Sequence, residues 1–393
     1  KIDEDFMLAV ESNSKYTLQY PIDSTNPKVE IQIEARKLWK KIVHNAWKSA
    51  EPGILFWDNI LKESIPDCYG DFHFKTVSTN PCGEIPLCPY DSCRLIAINL
   101  FSYVKQPFTS AAFFDILLFK EHVNSAQRIM DDIIDLEMEK IDKIIQKIDI
   151  DPEMMDVKRT ELNLWKKIKS KCYEGRRSGL GITAEGDMLA AIGLRYGTEE
   201  ATNFSVKVHK ILAIEAYRTS VKLAEERGCF PIYDSKREEK NPFILRIKNE
   251  DQQLYSDMTK YGRRNIALLT IAPTGTTSLM SQTTSGIEPV FKISYKRRRK
   301  VNPTDKNAKV DFVDDLGDKW EEHDVLHHNF VTWLENNGYN PEEVKKLDDG
   351  SLEKIIKKSP YFKATAEDID WVEKVKMQGA IQKWVDHSIS VTV

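Results

Sequence analysis

The sequence predicts a mixed α/β chain, and three observations carry that expectation. Helix-period and strand-like stretches alternate along its length. The run Ile266–Ile271 is apolar throughout most of its length, as a strand covered on both faces would be. Residues 199–227 repeat apolar side chains at helical spacing, with Phe204, Val208, Ile211, Leu212, Ile214, Ala216 and Leu223 on one side. At 393 residues, 41% hydrophobic and 30% charged, the chain has material for one large or two to three ordinary domains with a substantial core. A formal net charge of −4 gives no general electrostatic drive toward nucleic acid. No apolar run reaches the length of a membrane span, and the first residues carry no signal-like stretch, so a cytoplasmic protein with no membrane partner is expected.

Taken in order, Asp3–Glu11 reads as a helix. Residues 30–50 read as a second, on Ile31, Ile33, Leu38, Ile42, Val43 and Trp47, stopped by Pro52-Gly53. Phe72–Val77 reads as a strand that runs into Asn80-Pro81-Cys82-Gly83-Glu84, where Pro81 and Gly83 disfavour both helix and ladder. A long helix is expected over 112–148 and another over 154–171, with Asp151-Pro152 as cap and first turn. Together they would form a charged surface hairpin over 112–171. Gly228 is expected to close the 199–227 helix in the left-handed conformation. Lysine-rich stretches at 300–325 and 340–360 read as loops and short helices of an insert spanning about 300–370, and the alternating end Ser388–Val393 reads as strand. Internal repeats and low-complexity tracts are absent from the sequence.

The chemistry concentrates in two places. Asn80, Cys82 and Glu84 set a carboxamide, a thiol and a carboxylate on one short turn, able to bind a hydroxyl, react at sulfur and accept a proton. Cys93 follows eleven residues after Cys82, close enough in sequence to meet it across a substrate. Six cysteines are too few for a disulfide scaffold, and the spacing of Cys82, Cys88 and Cys93 is not that of a zinc site. Cys68, Cys172 and Cys229 are expected to be small buried hydrophobes, while Cys88 is open between bystander and site neighbour. The second place is Pro273-Thr274-Gly275-Thr276-Thr277-Ser278, after the buried strand. Gly275 admits close approach, the hydroxyls of Thr274, Thr276, Thr277 and Ser278 can donate to anionic oxygens, and helix N-terminal N–H groups would complete a phosphate cradle. It lacks the Gly-Lys-Ser/Thr ending of a Walker loop. Gly179-Leu180-Gly181 does not spell a dinucleotide fingerprint and is better read as close packing in a barrel wall. His323 and His327, with Asp324 and His328, read as a polar surface helix, so no metal site is expected. Lys296–Lys300 reads as a basic strand end rather than a nucleic-acid patch.

Asn80–Glu84, then Cys93 followed by Leu95–Leu100, resembles the active-site finger loop of ribonucleotide reductase large subunits, here over 79–94. Two further blocks are similar to that family in the same order. One is Arg176–Gly181 with Asp187-Met188-Leu189 and Tyr196-Gly197, a barrel strand and its helix. The other is Ala272–Ser278 with Ser285-Gly286-Ile287-Glu288-Pro289, a substrate-phosphate loop over 273–278. The resemblance covers nearly all of 1–393. It implies part of a ten-stranded α/β barrel, two parallel five-stranded halves around a central finger loop, with the N-terminal half-barrel upstream of Lys1. It also implies reduction of ribonucleotides to 2′-deoxyribonucleotides by a thiyl radical. By the resemblance, Cys82 carries the radical, Glu84 takes the 3′-hydroxyl proton, Asn80 holds substrate hydroxyls and Cys93 is one of two reducing thiols. Thr274, Gly275, Thr276, Thr277 and Ser278 would anchor phosphates. Pro81 and Pro-Thr-Gly-Thr resemble the adenosylcobalamin-dependent class more than the class served by a separate radical-generating subunit, which stays as the alternative. A dithiol reductant such as thioredoxin and a homodimer are further implied. The chain alone is expected to be inactive, as a middle piece or as one part of a split enzyme that acts only with a partner chain.

Overall fold

The computed structural model of the chain describes residues 1–393 apart from 23, 93, 303, 306 and 307. It begins with α1 (Glu4–Ser12), a hairpin of β1 (Lys15–Tyr20) and β2 (Val29–Glu34), and α2 (Ala35–Ser49). Asp3 caps α1 by accepting from Phe6 N at 2.7 Å. Ile31 and Ile33 lie on β2 rather than on the helix expected over 30–50. The period there is two (Val29, Ile31, Ile33), and helical spacing starts only at Ala35. Phe6, Ala9, Val10 and Ala35 close a small core of their own.

After α3 (Trp57–Glu63), a 3₁₀ segment Pro66–Phe72 and a left-handed His73 (φ 63°) take the place of the strand expected over Phe72–Val77. Asp67 accounts for the difference, because it accepts from the Thr76 backbone at 2.9 Å and from its hydroxyl, folding the segment back on itself. Ladder pairing starts at β3 (Ser78–Thr79), antiparallel to β4 (Pro86–Leu87).

A parallel sheet then organises the rest. β5 (Ile96–Asn99) is followed by the clip β6 (Val104–Lys105) and β7 (Phe113–Phe114), and by the helical hairpin α4 (Ile116–Ile150) and α5 (Met155–Gly175). Asp115 caps α4. Asp151 ends α4 instead of starting α5, whose N-cap is Met154, so the sequence-expected cap serves the preceding helix. The chain returns as β8 (Leu180–Thr183), parallel to β5, then α6 (Glu185–Ala191) and α7 (Glu199–Arg227). α7 is buried on more than one stripe, since α4 lies on it together with α10 (below), and Ser205, His209, Tyr217 and Ser220 join its apolar positions inside. Gly228 ends it at φ 86°, ψ 156°, a positive φ but not the left-handed helical basin.

α8 (Ser235–Glu238), α9 (Pro242–Glu250) and α10 (Gln252–Tyr261) lead to residues 266–271, which extend the sheet. Leu180 N donates to Leu268 O at 2.7 Å and Thr270 N to Leu180 O at 3.0 Å. On the far side, Ile271 N donates to Ser388 O at 3.2 Å and Ser390 N to Ile271 O at 2.9 Å. The order β5, β8, 266–271, 388–390 is parallel at every step and follows chain order, with helical returns, which is the pattern of a βα wall. Gly181 is needed there, because a Cβ would fall 2.1 Å from Thr270 O.

α11 (Gly275–Ser281) follows the third of these segments. Beyond it, β9 (Ser294–Lys300), β10 (Phe312–Val313) and β11 (Lys319–Leu326) form an antiparallel sheet in the order β10-β11-β9, where loops and short helices were expected. α12 (His328–Asn336), α13 (Pro341–Val344), α14 (Asp349–Ile356) and α15 (Trp371–Gln382), the last packed on α7, complete the chain. His323 stands on β11 and His327 just before α12, so the two do not share a helix face. The basic strand is neutralised by its neighbour: Arg298 pairs with Glu322 at 2.8 Å and Arg299 with Glu321 at 2.6 Å. Among the described residues no helix is long and apolar enough to cross a membrane.

Candidate active site

Residues 80–85 form the tip between β3 and β4. Gly83 N donates to Asn80 O at 3.1 Å, which closes a turn with Pro81 at its second position and Cys82 at its third. Gly83 follows at φ 82°, a value that favours glycine. Asn80 N donates to Ile85 O at 3.1 Å, and Ile85 N donates to the Asn80 carboxamide oxygen at 2.9 Å. Asn80 therefore fastens the loop through Oδ1 and keeps Nδ2 as a donor. Cys82 is exposed with a free thiol. Glu84 is 2% exposed, and its Oε2 is buried without a hydrogen-bond partner. Its carbonyl is gripped from two sides, by the Thr270 hydroxyl at 2.7 Å and Ser388 N at 2.9 Å. The loop thus pairs an accessible sulfur with a rigidly mounted carboxylate oxygen that lacks a donor.

Arg177 is the strut behind this loop. Its buried guanidinium donates to Pro86 O at 3.0 Å through Nη1 and to Asp91 Oδ2 at 2.7 Å through Nε. Nη1 also lies 3.0 Å from His387 Nε2. His387 Nδ1 is 2.9 Å from Leu269 O, and a carbonyl only accepts, so Nδ1 carries the hydrogen and Nε2 accepts from Arg177. Burial pushes His387 down to about 4, which keeps the ring neutral. Burial pushes Asp91 up, but Arg177 and Arg94 beside it hold the carboxyl below its ordinary value. Sequence reasoning read Arg177 only as part of a strand and left His387 unremarked. A pair 210 positions apart carries no local signal. Cys88 is buried with Sγ 3.5 Å from Asp91 Oδ2, and burial together with Asp91 pushes the thiol up to about 12. It is a packed neighbour of the site and a poor nucleophile. Cys172 is buried, whereas Cys68 and Cys229 are only partly so. Cys93 lies outside the described residues. Its neighbours are tied inward: Ser92 Oγ donates to Glu137 Oε1 at 2.9 Å and Arg94 Nη1 to Arg177 O at 2.8 Å.

The second loop begins at Thr274, left-handed at φ 51°, and leads into α11. Its hydroxyls are mostly engaged. Thr183 Oγ1 donates to Thr284 O at 3.1 Å, so across the 2.9 Å contact the Thr274 hydroxyl is the donor to Thr183. Gly286 N donates back to Thr274 Oγ1 at 2.9 Å. Thr277 donates to Thr274 O at 3.2 Å and Ser278 to Gly275 O at 2.9 Å. The hydroxyls expected to contact phosphate at Thr274, Thr277 and Ser278 instead shape the loop. The donors left over are the backbone N–H groups of Gly275, Thr276 and Thr277 and the Thr276 hydroxyl, which make no hydrogen bond among the described residues. These are the first-turn amides that favour an anion. Behind the loop, Asp187 accepts from Thr284 N at 2.8 Å, lies 2.7 Å from His327 Nε2 and accepts from the Tyr361 hydroxyl at 2.9 Å. Burial pushes Asp187 up, yet His327 beside it brings the carboxyl below its ordinary value. Thr270, which grips Glu84, and Thr274, which opens the second loop, are separated by at most about 14 Å of chain. Among the described residues no group of three or more His, Cys, Asp or Glu side chains is placed to hold a metal ion.

A free thiol and an unpartnered carboxylate share one turn, mounted against a parallel βα wall whose third segment runs into a loop with unpaired first-turn amides. The family described as ribonucleotide reductase, barrel domain, matches residues 2–393, and the chain belongs to that family. It is similar to the vitamin B12-dependent ribonucleoside-diphosphate reductase of Thermoplasma acidophilum, 30% identical over 382 residues, which cover 95% of this chain and 40% of that protein. The protein of the same description from Mycobacterium tuberculosis is 30% identical over 297 residues, 75% of this chain and 35% of that protein. The ribonucleoside-diphosphate reductase subunit alpha of Chlamydia pneumoniae is 27% identical over 294 residues, 69% of this chain and 25% of that one. The chain spans 40% or less of the length of these relatives.

Proposed function

We propose that this chain carries the reaction centre of an adenosylcobalamin-dependent ribonucleotide reductase, reducing ribonucleotides to 2′-deoxyribonucleotides. The observation that carries the reading is the buried, unpartnered Oε2 of Glu84 two residues from the exposed thiol of Cys82. A buried acceptor left bare costs about 1–3 kcal/mol or more, and it is relieved when a substrate hydroxyl donates to it. The four parallel segments would be part of a ten-stranded barrel, with the 80–85 loop at its centre.

In this reading Cys82 takes the 3′-hydrogen atom of the ribose. Glu84 accepts the 3′-hydroxyl proton and later returns it, and Asn80 Nδ2 donates to a substrate hydroxyl. The 2′-hydroxyl leaves as water with a proton from the reducing thiols, C2′ takes its hydrogen from the same pair, and Cys82 gives back the 3′-hydrogen atom. Cys93 is one of two thiols oxidised to a disulfide, which an external dithiol such as thioredoxin reduces again. The N–H groups of Gly275, Thr276 and Thr277 hold the substrate phosphates. Adenosylcobalamin, when bound, supplies the one-electron oxidising equivalent that the thiol lacks. The chemistry of Cys82 fits it, since a free thiol has a hydrogen atom to give up. The relatives named for vitamin B12 favour the same cofactor.

The test is deoxynucleotide formation by a full-length reductase containing this chain, with adenosylcobalamin and a dithiol. Cys82→Ser should abolish turnover, and Glu84→Gln should lower kcat by about 100-fold or more. Turnover of Cys82→Ser at the wild-type rate would overturn the reading.

A further inference from the structure

Below the loop that positions Thr274, three fully buried side chains meet with polar atoms left unpaired: Glu185 at the start of α6, and Ser205 and His209 on α7. Both carboxylate oxygens of Glu185, the Ser205 hydroxyl and His209 Nε2 lack a hydrogen bond of good geometry, although the Ser205 hydroxyl lies near enough to Glu185 to pull its carboxyl down against burial. Most buried polar atoms in native interiors are paired, and here four unpaired ones belong to three neighbouring side chains. His209 Nδ1 lies 2.9 Å from the Ser205 carbonyl, so Nδ1 carries the hydrogen and Nε2 presents a lone pair. Nε2 stands 3.9 Å from Glu185 Oε2, too far for a hydrogen bond.

We propose that Glu185, Ser205 and His209 enclose a binding site for a single internal water molecule. A water oxygen roughly 2.8 Å from both Glu185 Oε2 and His209 Nε2 would sit to one side of the line joining them. There it donates to the imidazole and to the carboxyl group and accepts from the Ser205 hydroxyl, the three bonds typical of a buried water. A divalent cation fits less well: the pocket offers one imidazole and one carboxyl, where a closed structural zinc site takes four protein ligands. Burial also pushes the Glu185 carboxyl up, favouring the neutral acid that a water, unlike a cation, accommodates.

The site joins α6 to α7 beneath the second loop. Glu185 N donates to Gly286 O at 3.3 Å, and Asp187, two residues on, holds Thr284 N. The water therefore supports the segment 284–286 that orients Thr274, whatever the chemistry at Cys82.

A crystal structure of this protein, metal analysis and melting curves of Glu185→Leu, His209→Leu and the double variant test the site together. The expected result is one water-sized peak within hydrogen-bond distance of His209 Nε2 and the Glu185 carboxyl, with no stoichiometric metal. Each single variant lowers the melting temperature by several degrees, and the double variant lowers it by clearly less than their sum, since neither an unpaired carboxyl nor an unpaired imidazole is left behind. A stoichiometric metal with chelator-sensitive melting, a direct Glu185–His209 hydrogen bond without a peak, or additive variants would overturn it.

Discussion

Glu84 divides its labour between backbone and side chain. Its carbonyl is held by Thr270 and Ser388, so the residue cannot swing away from the site, while its carboxylate oxygen is left bare. A bare buried oxygen costs stability, and on the proposed reading it takes a substrate proton, so Glu84→Gln should leave the melting temperature unchanged or raised while activity of the full-length reductase falls. A lowered melting temperature with full activity would mean that the carboxylate is structural. Arg177 is the opposite case. It satisfies Pro86 O, Asp91 and His387 at once, and Arg177→Met would strand the buried Asp91 carboxylate. The expected loss is about 3–5 kcal/mol, read from the urea midpoint of this chain. A variant within 1 kcal/mol of wild type, roughly the size of an exposed pair, would show that the strut is dispensable.

Among the elements, the parallel wall depends on close backbone approach more than on side-chain packing. At Gly181 an added Cβ would meet the Thr270 carbonyl, which is backbone and cannot rotate away. Gly181→Ala should therefore push β8 off the 266–271 segment and release the grip of Thr270 on Glu84. The expected outcome is a chain destabilised by several kcal/mol, at the upper end for a point substitution. Fast hydrogen exchange at the Leu180 and Thr270 amides would report the parted strands, and unchanged protection there would refute the account. The helical hairpin behaves differently. The seam Phe119, Val123, Ala126, Met130, Ile134 and Ile141 buries one face of α4, while Ile150, Met154 and Met155 at its far end are exposed. Its stability comes from the near end, where α4 also lies on α7.

For the molecule as a whole, acidification should be destabilising before most carboxylates titrate. His387 has its value depressed to about 4 in the folded state, against an ordinary 6.5. Between those values the unfolded chain binds a proton that the folded chain refuses, so stability falls as pH drops through that window. The loss amounts to something on the order of 3 kcal/mol by pH 4. Asp187, held below its ordinary value, adds a loss in the same direction at lower pH. Urea midpoints measured from pH 7 to about 4 check this; a flat profile would show that His387 is free to protonate in place. Much of the site was readable from local order alone: Asn80, Cys82 and Glu84 share one turn, and helical period located α1, α4, α5 and α7. Those features depend on neighbours a few positions away, which is what periodicity and turn chemistry report. Residues 30–34 misled because a short apolar alternation before a helix reads as part of it, and 72–77 because the Asp67 side chain that folds the segment lies five residues upstream of its start. What tertiary structure alone decided was which polar groups are satisfied. Glu84 meets Ser388, Arg177 meets His387, and the hydroxyl of Thr274 turns inward to Thr183, leaving the first amides of α11 unpaired among the described residues. Partners that arrive from distant strands are set by sheet order and burial, and no local pattern encodes them.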